Sequence, residues 1–284
     1  MTAIRVIALF TLRESLRRRV FAVVAILTLV FLGLYGLGLW RLYAELDRNE
    51  LDGTGVEISI VAGATVLGLA MFATLFLGTV LAVFLTLGAV RGDAERGLLQ
   101  PLLVRPVSRR DLLLGRYVAA AGVCALYVAG VFLAAAALTW AIGGWWPDHV
   151  IGPTLGLMLG VAIIAALSLA GSVFLSATAN GIAVFMVFGA GLVAGLLGQI
   201  GEALSSSTLQ DVSTAASWLL PFEGLYQAGL SGLTADTIGF TRFAIDLGPF
   251  GGAESAGPGL WLWAVVYLGL VGAWAVRGFA KRDL

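Results

Sequence analysis

The sequence predicts an all-α integral membrane protein with six transmembrane helices, on three observations. The 284-residue chain is 60% hydrophobic with a mean hydropathy of +0.97, above the roughly 45–50% apolar usage of soluble domains. Its apolar residues gather into runs of about 20 or more, the length a helix needs to cross a bilayer core of about 30 Å. These runs do not alternate with the period of two that marks strands of a membrane barrel.

The elements follow in order within one membrane domain, residues 1–284. In residues 1–19, Ile4, Ile7, Ala8, Thr11, Leu12 and Ser15 share a helical stripe, with Arg5, Arg13, Arg17 and Arg18 mostly elsewhere. That pattern predicts an N-terminal interfacial helix lying in the inner headgroup layer, and it is compatible with a plain positive anchor. A cleavable leader is not expected, because the next apolar run is too long and no small-residue cleavage site follows Trp40. Residues 20–40 are the first span. Residues 41–57 form a short polar outer loop with Asp-Gly and Thr-Gly turn signals.

Residues 58–90 are the second span; as a helix they reach about 50 Å at about 1.5 Å per residue. Such a helix must tilt, kink near Gly78 or project beyond the bilayer. Residues 91–111 are a cytoplasmic polar loop, and residues 112–142 a third span that is also overlong. The two long helices would make a stalk with the loop at its tip. Gly143-Gly144-Trp145-Trp146-Pro147 reads as an outer turn with interfacial tryptophans.

Residues 151–177 and 182–200 are the fourth and fifth spans. Gly152, Gly156 and Gly160 recur every four residues in the fourth, and Gly191 and Gly195, followed by Gly198, in the fifth. Small faces of this kind let helices approach closely in lipid, for static packing or as a moving interface. Residues 201–258 are a long outer segment. Its middle, 218–233, is amphipathic but interrupted by Pro221 and Gly224. It either dips into the outer leaflet and packs over the spans as a re-entrant lid, or rests on the membrane as an ordinary loop. Residues 259–276 are the sixth span.

Net charge is zero, but its distribution sets the topology. Fourteen of the seventeen basic residues lie in 1–19, in 91–116 or after the sixth span, and only Arg41, Arg48 and Arg242 lie on the other side. Twelve of the seventeen acids fall on that other side. The positive-inside bias places both termini and the polar loop in the cytoplasm of a multi-pass cell-membrane protein (inner or plasma membrane).

Chemistry of the catalytic kind is missing. The one cysteine, Cys124, lies in an apolar run and reads as a packing residue. The one histidine, His149, sits in an outer turn. No zinc-binding pattern, nucleophile elbow or phosphate-cradling GxxxxGK[ST] loop occurs, and the only lysine is Lys281. No catalytic residue, metal or bound cofactor is expected on the chain, and no nucleic-acid partner. Acids inside spans mark proton or ion coupling, and no charged residue lies deep in any run. Ser168, Ser172, Ser176, Thr178 and Asn180 stud the inner end of the fourth span and its turn, where hydrogen bonds between helices account for them; a substrate-lining role is the alternative.

The most polar stretch, 91–116, reads RGDAERGLLQPLLVRPVSRRDLLLGR, with six arginines, three acids and two prolines. Leucines at helical spacing inside such a loop predict docking to a soluble partner; an amphipathic loop on anionic lipid is the bland alternative. Glu95 and Gly97, the leucines Leu98, Leu99, Leu102 and Leu103, then Pro106-Val107-Ser108-Arg109 and Gly115-Arg116 resemble the first cytoplasmic loop of type-2 ABC exporter permeases. The basic start, the six spans and a long outer segment carrying Leu220-Pro221-Phe222-Glu223 extend the resemblance over nearly the whole chain. Among subgroups it most resembles permeases of the NosY type, which pair with a separate ATPase subunit. One departure is Gln100-Pro101, a proline where that family continues its helix; it would split the loop into two short pieces.

The resemblance implies a transport subunit rather than an enzyme. The loop would be a cytoplasmic coupling helix seated on a P-loop ATPase subunit, present in two copies and holding the ATP and Mg. Leu98, Leu99, Leu102 and Leu103 would supply apolar area there, with Glu95, Arg96, Arg105, Arg109 and Arg110 as a charged rim. A second permease copy, identical or homologous, would complete the path, with substrate contacts from the second and fifth spans. The outer segment with Leu220, Pro221, Phe222 and Glu223 would be the extracellular gate. The competing reading is an integral membrane scaffold or sensor that docks a cytoplasmic partner without transport. A lipid-modifying enzyme built on Asp211, Glu223, Asp236 and Asp246 lacks any recognisable catalytic spacing.

Overall fold

A computed structural model describes residues 19–46, 58–87, 108–238, 241 and 257–281. Among these residues there is no strand, and eight helices occur in chain order: α1 (Arg19–Leu46), α2 (Ile58–Thr86), α3 (Arg109–Gly143), α4 (Ile151–Phe174), α5 (Ala177–Ala203), α6 (Ser207–Leu219), α7 (Pro221–Gly232) and α8 (Pro258–Ala280). Six of them, α1 to α5 and α8, are long and apolar enough to cross a membrane. The expected interfacial helix and nearly all of the polar loop lie outside the described residues.

In hydrocarbon the backbone has no water to bond, so an apolar run of this length is driven into helix. The ends are set by local chemistry. Ser108 takes an extended backbone and its side chain accepts the Asp111 N–H at 3.0 Å, capping the start of α3, with Asp111 in the first turn where the helix dipole favours an acid. At the far end Gly144 adopts φ 68°, which a side chain would resist, and its N–H bonds back to the Trp140 carbonyl. Pro221 opens α7 and Pro258 opens α8, where the missing N–H costs nothing.

α1 continues as helix to Leu46, beyond the apolar run that ends at Trp40. The polar extension has packing of its own: Tyr43 is buried, covers Gly143, and donates to the Ser59 carbonyl at 2.9 Å. α2 is one uninterrupted helix of 29 residues, about 44 Å long. Gly78 is a packing position in it, pressed by Val128 of α3 and by Val161 of α4, whose Cγ2 lies 2.9 Å from where a Cβ would be.

α2 and α4 form the centre of the bundle. Two thirds of the most apolar stretch of each is buried (67%), against 17% for α1 and for α8. The main core joins Leu67, Met71 and Leu75 of α2, Phe132 of α3, Leu157 and Ile164 of α4, and Phe222 and Leu225 of α7. Cys124 is fully buried in it as a free thiol. Peripheral α1 is held to α3 by hydroxyl contacts at successive levels, Thr28 to Tyr127 at 2.5 Å and Tyr35 to Thr139 at 2.6 Å. Of the two tryptophans in the α3–α4 turn, Trp145 turns inward against Gly63, while Trp146 is exposed.

Candidate functional site

Between the fifth and sixth spans, residues 207–232 do not rest on the bundle as a loose loop. α6 lies along α5, and α7 folds back between α4, α5 and α2 with α4 as its main neighbour. The glycines of α4 and α5 make room for it. A Cβ on Gly156 would come within 2.9 Å of the Leu225 carbonyl oxygen, and one on Gly160 within 3.5 Å of the Phe222 carbonyl oxygen. On α5, a Cβ at Gly191 would meet the Phe222 ring at 2.6 Å, and one at Gly195 the Glu223 carboxyl carbon at 2.7 Å. Gly198 faces Ser213 of α6. Gly156, Gly160, Gly191, Gly195 and Gly198 therefore receive the α6–α7 hairpin, while Gly152 meets nothing within 4 Å.

Leu220, Pro221, Phe222 and Glu223 form the junction of that hairpin, Leu220 being at once the C-cap of α6 and the N-cap of α7. Phe222 is 1% exposed and stacks on Phe188 of α5, with ring centroids 5.8 Å apart. Tyr226, one turn later, meets Phe72 of α2 edge-on at 6.4 Å. Glu223 is also buried, at 4% exposure, and accepts a hydrogen bond from Gln227 Nε2 at 2.8 Å. The sequence assigns Glu223 to the outer segment; its burial comes from the hairpin. The Tyr226 hydroxyl and Gln227 Oε1 are buried with no partner among the described residues. Burial first, and the Glu223 carboxylate second, push the Tyr226 phenol up from its ordinary value.

The other end of α7 is fastened differently. Asp148 N and His149 N donate to the carbonyls of Leu233 and Gly232 at 3.1 and 3.2 Å. Asp148 Oδ2 accepts from Asp236 N at 2.9 Å and lies 3.4 Å from Thr237 Oγ1. α7 is thus pinned at its C-terminal end to the α3–α4 turn, and seated at its N-terminal end by apolar and small-residue contacts. α6 is tied to α8 through Trp263 Nε1, which donates to the Trp218 carbonyl at 2.7 Å.

At the opposite end of the bundle, an open groove of about 580 Å³ runs between α2 and α5, lined by Val83, Phe84, Leu87, Thr178, Gly181 and Phe185 among others. Beside it Thr86, Ser168, Ser172 and Asn180 are almost wholly buried. Thr86 had escaped notice in the sequence because a threonine hydroxyl can hide in its own helix. Thr74 and Thr79 donate to the carbonyl four residues back, at 2.7 and 2.9 Å, and Thr86 Oγ1 lies 2.8 Å from the Ala82 carbonyl in the same way. Tyr226 and Gln227 escaped because their partners follow from the hairpin fold alone.

Of the residues assigned to partner docking, Glu95, Arg96, Gly97, Leu98, Leu99, Leu102, Leu103, Arg105 and Pro106 lie outside the described residues, and Arg109 opens α3. The end of the motif has a structural part to play: Ser108 is the cap of α3. Among the described residues no group of three or more His, Cys, Asp or Glu could hold a metal ion.

Comparison with curated proteins gives no match. A protein-family model described as ABC-2 family transporter protein matches residues 5–284. A match over nearly the whole length, on a bundle with six membrane-crossing helices, makes this chain a member of the ABC-2 family of transporter proteins.

Proposed function

We propose that the chain is the membrane-spanning permease subunit of an ATP-driven exporter whose ATPase is a separate polypeptide, as in permeases of the NosY type. The observation that carries this reading is membership of a transporter family by a chain that has no phosphate-cradling loop and a single lysine, Lys281. In this reading energy from ATP, with its Mg, arrives from a P-loop partner. Residues 91–111 are its docking site: Leu98, Leu99, Leu102 and Leu103 would each contribute about 1.5–3 kcal/mol if fully buried. Glu95, Arg96, Arg105, Arg109 and Arg110 set orientation, since rim charges govern specificity more than affinity.

Closure of two ATPase subunits does work on the permease only if it favours one of its conformations over another. The α6–α7 hairpin, with Leu220, Pro221, Phe222 and Glu223 at its junction, is the gate in this scheme, and the groove between α2 and α5 is part of the cargo path. A second permease copy would complete that path. Exposed Ile182, Met186, Val193, Leu196 and Ile200 follow one another at spacings of four, seven, three and four along α5, which suits a helix seam. The charge asymmetry supports a topology with the termini and docking loop in the cytoplasm and the hairpin on the outer side.

The test is reconstitution of the chain with a purified P-loop ATPase subunit in lipid nanodiscs. The wild-type chain retains the subunit and changes its ATP hydrolysis rate, and Leu98→Asp or Leu102→Asp abolishes both while still inserting. Failure of the wild type to retain any P-loop subunit overturns the assignment. Retention with no effect of nucleotide on either protein would favour the scaffold reading.

A further inference from the structure

Three helices meet at Ser168. Thr86, the last residue of α2, places Oγ1 2.6 Å from Ser168 Oγ of α4. Asn180, in the first turn of α5, donates from Nδ2 to the Ser168 carbonyl at 2.8 Å. Thr86 and Ser168 are 1% and 0% exposed and Asn180 is 0% exposed, so water does not compete for these bonds. α2 and α5 otherwise touch little, and the groove between them opens beside this point.

The chemistry makes the contact releasable. Thr86 Oγ1 also lies 2.8 Å from the Ala82 carbonyl in its own helix. A hydroxyl has one proton to give, so if α2 moves away the Thr86 donor turns to Ala82 and is not left bare. The Ser168 carbonyl lies within α4, where the helical ladder also serves it. The closed arrangement is not fully satisfied, because Asn180 Oδ1 is buried against Gly171 with no hydrogen-bond partner among the described residues. A buried acceptor left unpaired disfavours the state that contains it. A clamp that opens without orphaning its donor, and carries an unpaired acceptor while closed, is suited to switching rather than to permanent fastening.

We propose that Ser168 is a positioning residue that clamps the end of α2 to α4 and α5, and that opening this clamp passes movement of the chain following α2 to the rest of the bundle. The proposal rests on the exporter reading, since the movement comes from an ATPase docked on residues 91–111. It assigns Ser168, Thr86 and Asn180 no contact with cargo.

The experiment uses the full chain with its ATPase subunit in nanodiscs, with amide hydrogen exchange followed in residues 169–180 and 221–232. Wild type, Thr86→Ser, Thr86→Val, Ser168→Ala and the Val/Ala double variant are compared with and without a non-hydrolysable ATP analogue. In wild type and Thr86→Ser the analogue shifts exchange in both stretches. In Thr86→Val and Ser168→Ala the shift shrinks about threefold, the effect of one hydrogen bond between membrane helices. The double variant is no worse than either single, because both remove the same bond. Ser168→Ala keeps the carbonyl that Asn180 uses and loses only one oxygen, so it guards against a Thr86→Val chain that fails to fold. A purely structural bond would raise basal exchange and leave the nucleotide response intact; that result, or additive losses, overturns the clamp while ATPase retention still upholds the exporter. Loss of ATPase retention in the wild type overturns both.

Discussion

Replacing Gly156 by alanine puts one methyl group where the backbone of α7 already is. The new Cβ would lie 2.9 Å from the Leu225 carbonyl oxygen, about 0.5 Å inside ordinary van der Waals contact. The obstacle is main chain within a helix, so no rotamer change relieves it. Overpacking of this size costs about 1–3 kcal/mol, which shifts the equilibrium between seated and lifted α7 by about 5- to 140-fold. Gly152→Ala is the control, one turn away on the same helix with nothing within 4 Å. Helix propensity drops out of the readout, because α4 is helical whether α7 is seated or lifted. The reporter is Leu230→Cys, in a Cys124→Ala background, at a position 5% exposed on α7. Gly156→Ala should speed its reaction with a soluble maleimide by that factor, and Gly152→Ala should leave it unchanged. Equal rates in the two variants would refute the seat.

Other outcomes follow from single contacts. Ser108→Ala removes the cap of α3 at a cost of about 1 kcal/mol, and should raise amide exchange at Asp111 about fivefold while exchange in the middle of α3 stays constant. Asp148→Ala removes the acceptor for Asp236 N and Thr237 Oγ1 and should loosen residues 234–238 by about 0.5–1.5 kcal/mol, read as faster exchange there and not in α5. In intact cells a cysteine at exposed Ala235 should be labelled by a membrane-impermeant maleimide and one at exposed Ser108 should not; the reverse pattern would invert the topology.

Six membrane crossings were legible in the sequence because hydrocarbon leaves a long apolar segment little choice but helix. Where those helices stop was less legible. Hydropathy falls at Arg41, but backbone helicity persists to Leu46 because Tyr43 finds Gly143 and Ser59 to pack on, a tertiary contact no local window contains. The glycine faces of α4 and α5 were equally visible as spacing, yet spacing does not name the visitor. That α7 fills them depends on the hairpin at Leu220 and Pro221 turning the chain back. Glu223 reads as an outer-segment acid for the same reason, and only the fold hides it. The polar loop was the clearest sequence signal; of its motif the described residues show the Ser108 cap and the start of α3.

The rungs of hydroxyls between α1 and α3 carry a mechanical implication. Thr28 and Tyr35 bond Tyr127 and Thr139 of α3 at two heights, and Tyr43, whose hydroxyl bonds the Ser59 carbonyl of α2, packs on Gly143 of α3 at a third, along a helix that otherwise faces outward. Contacts at a single height would act as a pivot and let α1 swing, but contacts at three make a splint. The first and third crossings should therefore tilt together as one stiff plank, so that a tug on the chain entering α1 and a tug at Ser108 pull the same lever.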